Sequence, residues 1–403
     1  MHVLFLTHYY PPELGAAPTR IAALARGLAD RGLKVSVHTG FPHYPSGTIA
    51  PPYRNGRLLI EHEGPVRVLR SVVYPTANRG FTRRLANHAA FAAGALAGAY
   101  AAGPVDVVVA ETPPLFTAAA GVAYARLKGA WLALNVSDLW PESAIELGAL
   151  GDGQAAAAAH ALARLCYRRA ALITAPTAGI IEALSDRPEA SGKLVHIPPA
   201  VDLGRFASVP ENRPRADAPL RVLYAGTLGM AQQLRTLVRA AAIAGGELVE
   251  LTIAGDGPDA MAIRSEIETL GISNVRMLGP VDAERIPSLY ADIDAGVVPL
   301  RDRRIFEGAL PTKLFEVLAA GRPAIVCARG EAAELVLGAR AGLVVAPEDP
   351  RALADAFARL RADPQEALAM GRRGREKARE FDRAAAVQRW WELLNAGQTG
   401  RRR

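Results

Sequence analysis

The residues best suited to chemistry lie in one stretch of the C-terminal half, residues 311–316, which read PTKLFE. Proline is favoured at the first position of a helix, and apolar side chains then recur at helical spacing. The stretch therefore predicts a helix that begins at Pro311 and ends before Gly321. Lys313 and Glu316 would lie one turn apart, beside backbone N–H groups without an intrahelical partner. A cation and a carboxylate placed there suit a diphosphate beside a sugar diol. The alternative is that Glu316 is an ordinary solvated acid.

A second set of polar residues lies between an apolar run at residues 3–7 and an amphipathic segment at residues 19–31. The run predicts a buried strand and the segment a helix, and a strand after them completes a parallel α/β unit. The loop then lies at the carboxyl end of the first strand, where such sheets bind ligands. Glu13 and Arg20 are candidate contacts, and Gly15 would let a ligand approach the backbone. Alternatively, Glu13 and Arg20 form a surface pair.

Two further loops follow predicted strands in the N-terminal half. Asp138 comes after the strand predicted at residues 131–135, and His43 lies in a turn-rich loop after the strand at residues 34–39. Asp138 would either face a ligand or cap the helix that begins after the next proline. His43 is a candidate polar contact, although a single histidine in a loop is more often simply exposed.

The C-terminal half has glycine turns directly after two predicted strands. Residues 220–233 contain a strand, Gly226, Gly229 and the start of a helix at about residue 231, and a later strand leads into Gly255. Backbone N–H groups at a helix start can bind an anion, so the first turn is a candidate phosphate site. The second turn matches the Gly-x-Gly-x-x-Ala dinucleotide pattern, which is weak evidence on its own.

Together these motifs resemble the retaining GT-B glycosyltransferases of family four. The similarity rests on residues 307–323, on the Pro-Pro-Glu loop before Arg20 and on the Asp-Leu-Trp-Pro sequence at residues 138–141. It is closest to the branch that builds bacterial O-antigen, capsule and colanic-acid-type polysaccharides. The resemblance implies an α/β fold of two Rossmann-like, doubly wound domains facing a cleft, with a C-terminal helix that crosses back to the first domain. The expected boundaries are 1–202 for an acceptor-binding domain, 203–219 for a linker, 220–381 for a nucleotide-sugar-binding domain, and 382–403 for the returning helix and a basic tail.

The resemblance also implies roles for individual residues. The expected catalytic residues are Lys313, Asp138 and Glu13. The expected donor-binding residues are Gly15, Gly226, Thr227, Gly229, Gln232, Gly255, Leu278, Thr312, Lys313, Leu314 and Glu316, with Glu316 on the ribose hydroxyls. The expected acceptor-binding residues are Arg20, His43 and Trp140. No metal or other cofactor is expected. The chain departs from the family pattern at several positions. The first acid of the pattern falls at Gly308, beside Glu307, and Ser137 takes the place of a histidine. Thr227 and Gln233 stand where many relatives have Arg and Lys.

Composition limits the class of protein. The chain has 403 residues, of which 50% are hydrophobic and 22% are charged, which indicates a folded protein with room for two domains. Cys166 and Cys327 are far apart and suit a reducing cytoplasm better than a disulfide framework or a metal site. We expect no signal peptide and no membrane span, because the apolar runs are too short. The net charge of +7 suits a phosphorylated substrate or anionic lipid, and dispersed basic residues make nucleic acid the weakest choice.

One segment suggests contact with a membrane. A basic sequence at residues 79–84, including Arg83 and Arg84, precedes a small-residue apolar helix predicted at residues 85–101. That composition is typical of a helix lying on a membrane surface, and equally of a core-facing helix with a solvated basic end. We therefore expect a cytoplasmic protein that associates peripherally with the inner membrane.

The predicted function is transfer of a sugar from a nucleotide diphosphate sugar, UDP-linked, to a lipid-linked saccharide, with retention of anomeric configuration, in bacterial surface polysaccharide biosynthesis. One alternative is a nucleotide-sugar 2-epimerase of the same fold, which would act without an added acceptor. Another is a non-catalytic protein that binds nucleotide sugars. The sequence does not identify the nucleotide base, the donor sugar or the acceptor.

Overall fold

The chain divides into two compact units. The first comprises Met1–Pro198 and Ala384–Arg403, and the second comprises Pro199–Arg383. In this computed structural model the described residues are 1–13, 15–44, 46–54, 56–76, 81–146, 148–211, 218–229 and 231–401. Within those ranges we find no helix that combines the length and the apolar character needed to span a bilayer.

Eight strands form the sheet of the first unit: β1 (His2–Leu6), β2 (Lys34–Gly40), β3 (Leu58–Glu63), β4 (Val66–Ser71), β5 (Val107–Thr112), β6 (Trp131–Val136), β7 (Leu172–Ala175) and β8 (Leu194–His196). Their spatial order is β3-β4-β2-β1-β5-β6-β7-β8, and every pairing is parallel except that of β3 with β4. The strand order reverses between β1 and β5, so the loops after these two strands meet at the carboxyl edge of the sheet.

Helices cover both faces of this sheet: α1 (Ala16–Ala29), α2 (Phe81–Ala97), α3 (Leu115–Lys128), α4 (Glu142–Glu146), α5 (Gln154–Arg169) and α6 (Ala178–Ser185), with short 3-10 turns at Pro51–Tyr53 and Ala99–Ala102. The C-terminal helix, Arg383–Arg401, belongs to the first unit from Ala384 onward. Its Val387, Trp390 and Leu394 are buried in the same apolar cluster as β1 and α1. The chain therefore returns to its first unit at its end.

Six strands form the sheet of the second unit: β9 (Leu220–Ala225), β10 (Val249–Ala254), β11 (Val275–Gly279), β12 (Ala295–Pro299), β13 (Ala324–Cys327) and β14 (Gly342–Val345). All pairings are parallel, in the order β11-β10-β9-β12-β13-β14, which is a doubly wound arrangement. Its helices are α7 (Leu203–Phe206), α8 (Arg235–Ala244), α9 (Ala260–Leu270), α10 (Ile286–Ala291), α11 (Thr312–Ala319), α12 (Glu331–Ala339), α13 (Pro350–Ala362) and α14 (Pro364–Ala378), with 3-10 turns at Ala283–Arg285, Arg304–Phe306 and Arg379–Phe381. The predicted fold of two doubly wound α/β domains is confirmed.

The predicted linker at residues 203–219 is wrong in its first part. Residues 199–211 belong to the second unit, and α7 places Phe206, which is 1% exposed, in an apolar cluster with Val201 and Val209. Pro-rich composition and missing periodicity suggested a linker, but a few apolar residues suffice to hold the segment against the core. Residues 212–217 of the predicted linker lie outside the described residues.

Helix α11 packs unusually close to the sheet of the second unit. A Cβ atom added at Gly296 in β12 would lie 2.3 Å from Cγ2 of Val317 in α11. Leu314, Val317 and Leu318 are buried on this face of the helix. The absence of a side chain at residue 296 therefore determines how near α11 comes to β12.

We expect Gly296→Ala to lower the free energy of unfolding by about 1–3 kcal/mol, because the added methyl group overpacks the contact with Val317. Gly338→Ala is the matched control, since Gly338 lies on an exposed part of α12 with no atom within 4 Å of the added methyl group. That control should raise the free energy of unfolding by about 0.5 kcal/mol. Chemical denaturation of the two variants measures both effects, and equal stabilities would contradict the close packing of α11.

Candidate active site

Lys313 lies in the first turn of α11 and reaches back to the end of β9. Its Nζ donates a hydrogen bond to the hydroxyl of Tyr224, at 2.6 Å, and lies 4.0 Å from the centre of that ring. Burial lowers the pKa of Lys313 to about 7, and the carboxylate of Glu316 opposes this shift. A lysine with a pKa near neutrality gains a full charge when an anion binds beside it. The charge of Lys313 would therefore increase on binding of a negatively charged ligand at neutral pH.

The loops after β9 and β10 touch through their backbones. A Cβ atom at Gly255 would lie 1.8 Å from the carbonyl oxygen of Gly226, and one at Gly226 would lie 3.1 Å from Nζ of Lys313. Both glycines have positive φ angles, which a residue with a side chain adopts at a cost. Glycine is thus required twice here, once for loop contact and once for the approach of the Lys313 ammonium group.

Part of the predicted phosphate site at residues 226–233 is wrong. Helix α8 begins at Arg235, so no helix start lies beside Gly229. The N–H groups of Gly226 and Leu228 donate to carbonyl oxygens of Ala254 and Asp256, at 2.9 Å each. Among the described residues, this leaves the N–H groups of Thr227 and Gly229 without a protein acceptor. The loop therefore offers fewer amides to an anion than the sequence pattern suggested.

Glu316 lies one turn after Lys313 and faces three cations. Burial raises its pKa, whereas Arg205, Lys313 and Arg383 act in the opposite direction. Within the described ranges its carboxylate accepts no side-chain or loop hydrogen bond, although it is half-buried. A half-buried carboxylate without a donor can accept hydrogen bonds from two ligand hydroxyls.

The other residues predicted to bind the donor differ in how exposed they are. Thr312 is exposed at the start of α11, with Pro311 as the residue before the helix and not its first residue. Leu314 is fully buried, so its side chain serves the core and cannot contact a ligand. Gln232 is half-buried in the turn after β9, and Leu278 packs on the apolar cluster around α11.

In the first unit, a buried polar network holds Arg20 at the carboxyl edge of the sheet. Its Nη2 donates to Oε2 of Glu111 at 2.6 Å and to the hydroxyl of Ser137 at 3.0 Å. The Nδ2 group of Asn135 donates to both oxygens of Glu111, and Thr174 donates to Oδ1 of Asn135. Glu111 is 5% exposed, whereas the side chain of Arg20 is one-third exposed. Glu111 therefore fixes a guanidinium group whose other edge remains accessible.

Sequence reasoning missed Glu111 and Asn135. Both lie at the carboxyl ends of buried strands, β5 and β6, where a polar residue is out of place unless it binds a partner. A polar residue at the end of a buried strand is the sequence feature that could have identified both residues. Gly15 lies immediately before α1, which begins at Ala16, three residues earlier than the start predicted at residue 19.

The predictions for Glu13 and His43 as ligand contacts are not supported by their surroundings. Oε1 of Glu13 accepts hydrogen bonds from the N–H groups of His43 and Tyr44, at 3.0 and 2.9 Å, and Glu13 is 4% exposed. Burial raises the pKa of Glu13, and these N–H groups oppose the shift. His43 is 3% exposed, with Nδ1 2.8 Å from the oxygen of Phe41 and Nε2 2.7 Å from Nδ2 of Asn87. Both residues organise the loops from within.

Asp138 and Trp140 are both half-buried in the loop after β6. Oδ1 of Asp138 accepts a hydrogen bond from the hydroxyl of Ser143 in α4, at 2.6 Å. Burial raises the pKa of Asp138, and the Ser143 hydroxyl opposes this shift. Trp140 packs against the large apolar cluster of the first unit. Asp138 therefore contacts the first turn of α4 through the Ser143 hydroxyl, and its carboxylate also accepts a hydrogen bond from the N–H group of Leu139.

A metal site is not evident in the described part of the chain. There we find no group of three or more histidine, cysteine or acidic side chains that could hold a metal ion. The Asp292-Ile-Asp294 sequence does not form one, because Asp294 is 6% exposed and pairs with Arg221 at 2.8 Å.

Two family descriptions match successive parts of the chain. "Glycosyl transferase 4-like domain" matches residues 15–200, and "Glycosyl transferases group 1" matches residues 219–363. The matches correspond to the two units of the structure and together span most of the chain. The class of protein defined by this fold and these matches is the GT-B glycosyltransferases. The chain belongs to family four of these enzymes.

Curated relatives agree with this classification. Glycosyl transferase WcaI of Escherichia coli K12, named for colanic acid biosynthesis, is 25% identical over 81% of this chain and 83% of its own length. A GDP-mannose-dependent phosphatidylinositol monomannoside mannosyltransferase of Mycolicibacterium smegmatis is 32% identical over 47% of this chain and 52% of its own.

Solved structures share the fold at lower identity. A sucrose-phosphate synthase from Thermosynechococcus elongatus superposes with a TM-score of 0.75 and 20% identity, over 98% of both chains. The Anabaena protein HepE, solved with UDP-glucose, superposes with a TM-score of 0.72 and 18% identity, over 98% of this chain and all of the other. These likenesses establish the architecture.

We expect Arg20→Ala to lower the free energy of unfolding by about 1–3 kcal/mol, because the buried carboxylate of Glu111 loses its charged partner. In a Glu111→Gln background the same substitution should cost clearly less, since no buried charge remains. Arg26→Ala in the same helix is the control, because its pair with Glu63 is exposed and contributes at most about 1 kcal/mol. Chemical denaturation of the double-mutant cycle measures the coupling, and additive effects would contradict it.

Proposed function

We propose that this glycosyltransferase takes its sugar from a nucleotide diphosphate sugar bound to the second unit. The observation that carries the proposal is the placement of Lys313 over the glycine loop of β9, one helical turn from Glu316. The cation suits the diphosphate and the carboxylate suits the ribose diol. The N–H groups of Thr227 and Gly229 are additional donors toward the phosphates.

Lys313 would act on the leaving group. When the bond between the sugar and the diphosphate breaks, negative charge develops on the diphosphate oxygens. A preorganised ammonium group beside them stabilises that charge more than it stabilises the intact donor, which is the basis of electrostatic catalysis. In this mechanism the neutralising charge is a side chain, so we propose no metal or other cofactor. Retention of configuration is proposed from the family resemblance.

The similar proteins differ in the nucleotide base that their names or structures give. HepE was solved with UDP and with UDP-glucose, whereas the mannosyltransferases are named as GDP-mannose-dependent. We propose UDP, in line with the sequence prediction, and treat GDP as the competing donor. The Glu316 carboxylate would bind the ribose of either nucleotide, so it does not discriminate between the two bases.

The acceptor would bind to the first unit. Arg20, fixed by Glu111 with one edge exposed, and the half-buried carboxylate of Asp138 are polar groups offered at the carboxyl edge of its sheet. We propose a lipid-linked saccharide acceptor in bacterial surface polysaccharide biosynthesis. The relatives named for colanic acid biosynthesis and for phosphatidylinositol mannoside synthesis support this class of acceptor.

Calorimetric titration with UDP and GDP tests the donor site. We expect one nucleotide to bind the parent, Lys313→Met to weaken that binding by about tenfold or more, and Glu316→Gln to weaken it several-fold. Lys313→Met removes the positive charge beside the diphosphate. Glu316→Gln leaves a weaker hydrogen-bond acceptor for the ribose hydroxyls. Lys377→Met and Glu380→Gln, a partly exposed ion pair in the same unit, are the matched controls and should bind like the parent. Unchanged binding by both Lys313→Met and Glu316→Gln would refute this donor site.

Membrane association is proposed through the start of α2. Asn87, Phe91 and Ala95 of this helix are buried, so it packs on the core of the first unit and does not lie wholly on a surface. Arg83 remains exposed at its start, and Tyr74, which precedes it in the chain, is 51% exposed. Residues 79 and 80 of the predicted basic sequence lie outside the described residues. A basic and aromatic edge of this kind suits the cytoplasmic face of the inner membrane.

We expect Arg83→Ala/Arg84→Ala to reduce co-sedimentation with liposomes that contain anionic lipid, and to leave the weak binding to neutral liposomes unchanged. Each basic residue near an anionic surface contributes about 1 kcal/mol. Arg168→Ala/Arg169→Ala, two exposed residues at the end of α5, is the control of equal charge. If both double variants sediment like the parent, the membrane proposal for α2 fails.

A further inference from the structure

Tyr224 joins Lys313 to the glycine loop through its hydroxyl group. The hydroxyl accepts a hydrogen bond from Nζ of Lys313 and donates one to the carbonyl oxygen of Thr227, each at 2.6 Å. Tyr224 is fully buried at the carboxyl end of β9. One hydroxyl therefore links the proposed leaving-group cation to the loop that carries the proposed phosphate donors.

The geometry leaves the Tyr224 hydroxyl little freedom. Its single proton is committed to Thr227, so only its lone pairs face Lys313, and these can accept from an ammonium group. The ring centre lies 4.0 Å from Nζ, which adds attraction between the cation and the π system. Gly226 leaves the space in which the end of Lys313 lies. The ammonium group thus has a defined position before any ligand arrives.

We propose that Tyr224 is a positioning residue for the transfer reaction, which keeps the Lys313 ammonium group charged and aimed at the donor diphosphate. The proposal rests on the role of Lys313 in the proposed function. It assigns to Tyr224 a role beyond filling the core, because a phenylalanine would fill the same volume and still contact the lysine. What a phenylalanine lacks is the lone pair that stabilises the charged form of Lys313.

The charged surroundings of Lys313 allow the effect to be isolated. Glu316 in α11 stabilises the charged form of Lys313, and Arg205 and Arg383 face Glu316. Tyr224 itself stays protonated throughout the useful range, because burial raises its pKa. Replacing Tyr224 by phenylalanine therefore changes one hydrogen bond to Lys313 and no formal charge.

The first measurement is an NMR titration of the lysine side chains in the free protein. The sequence has five lysines, and Lys313→Met identifies the Lys313 signal by its loss. In the parent, Lys313 should titrate with a pKa of about 7. In Tyr224→Phe its pKa should be lower by about one unit, because the lost hydrogen bond favoured the charged form. Tyr124→Phe, which removes another buried hydroxyl in the first unit, is the control and should leave the Lys313 signal unchanged.

The second measurement is the pH dependence of UDP binding, with GDP as the alternative probe. In the parent, affinity should fall as pH rises above about 7, where free Lys313 loses its proton. In Tyr224→Phe the fall should begin at lower pH, and affinity at pH 8 should be about tenfold weaker. Thermal unfolding and circular dichroism establish that the variant is folded.

The outcomes separate this proposal from the one on which it rests. A Lys313 pKa and a pH profile that are both unchanged in folded Tyr224→Phe would overturn the role of Tyr224. If Tyr224→Phe lowers the pKa of Lys313 but Lys313→Met binds nucleotide like the parent, the hydrogen bond is real and the proposed donor site is wrong. In that case Tyr224 changes the pKa of a lysine that has no role in donor binding, and the positioning role of Tyr224 is rejected as well.

Discussion

The contact between Gly296 and Val317 determines how close α11, the helix that carries Lys313 and Glu316, lies to the sheet of the second unit. It lets α11 lie against β12, so that the first turn of α11 reaches the carboxyl edge of the sheet. Lys313 can then meet Tyr224 at the end of β9, and Glu316 comes to lie one turn deeper. A side chain at residue 296 would meet Val317, so α11 could not lie this close to β12.

The two units stabilise their candidate sites by different means. In the second unit, close backbone contact between two glycine loops and a single lysine–tyrosine hydrogen bond place the cation. In the first unit, buried carboxylates hold a loop and a basic side chain in position. Glu13 holds the loop after β2 through backbone N–H groups, and Glu111 holds Arg20. A buried carboxylate that has satisfied its oxygens within the protein stabilises the scaffold and is not itself a ligand contact.

This distinction separates the predicted residues whose polar groups remain accessible from those that are satisfied inside the fold. Arg20 keeps an accessible edge, and Glu316 accepts no side-chain or loop hydrogen bond within the described ranges, whereas His43 and Leu314 are buried. The acidic and basic residues of the family pattern are therefore of two kinds. Some keep polar atoms that are not satisfied within the protein, and others are buried and hold their neighbours in position.

Much of the architecture was determined by the sequence. The buried strands, the helix from residue 312, the glycine turns and the doubly wound class all follow from local periodicity and turn chemistry, which act over a few residues. The sequence analysis made no prediction for the hairpin of β3 and β4, and the local pattern misplaced α8, which begins four residues after its predicted start.

Only the tertiary structure decided which polar residues meet. Glu111 and Arg20 are 91 residues apart in the chain, and Lys313 and Tyr224 are 89 apart. No local rule relates such positions, because their contact depends on the order of strands in each sheet. The sequence placed polar residues at strand ends, but only the strand order and the burial around each residue determined which contact one another and which remain open to a ligand.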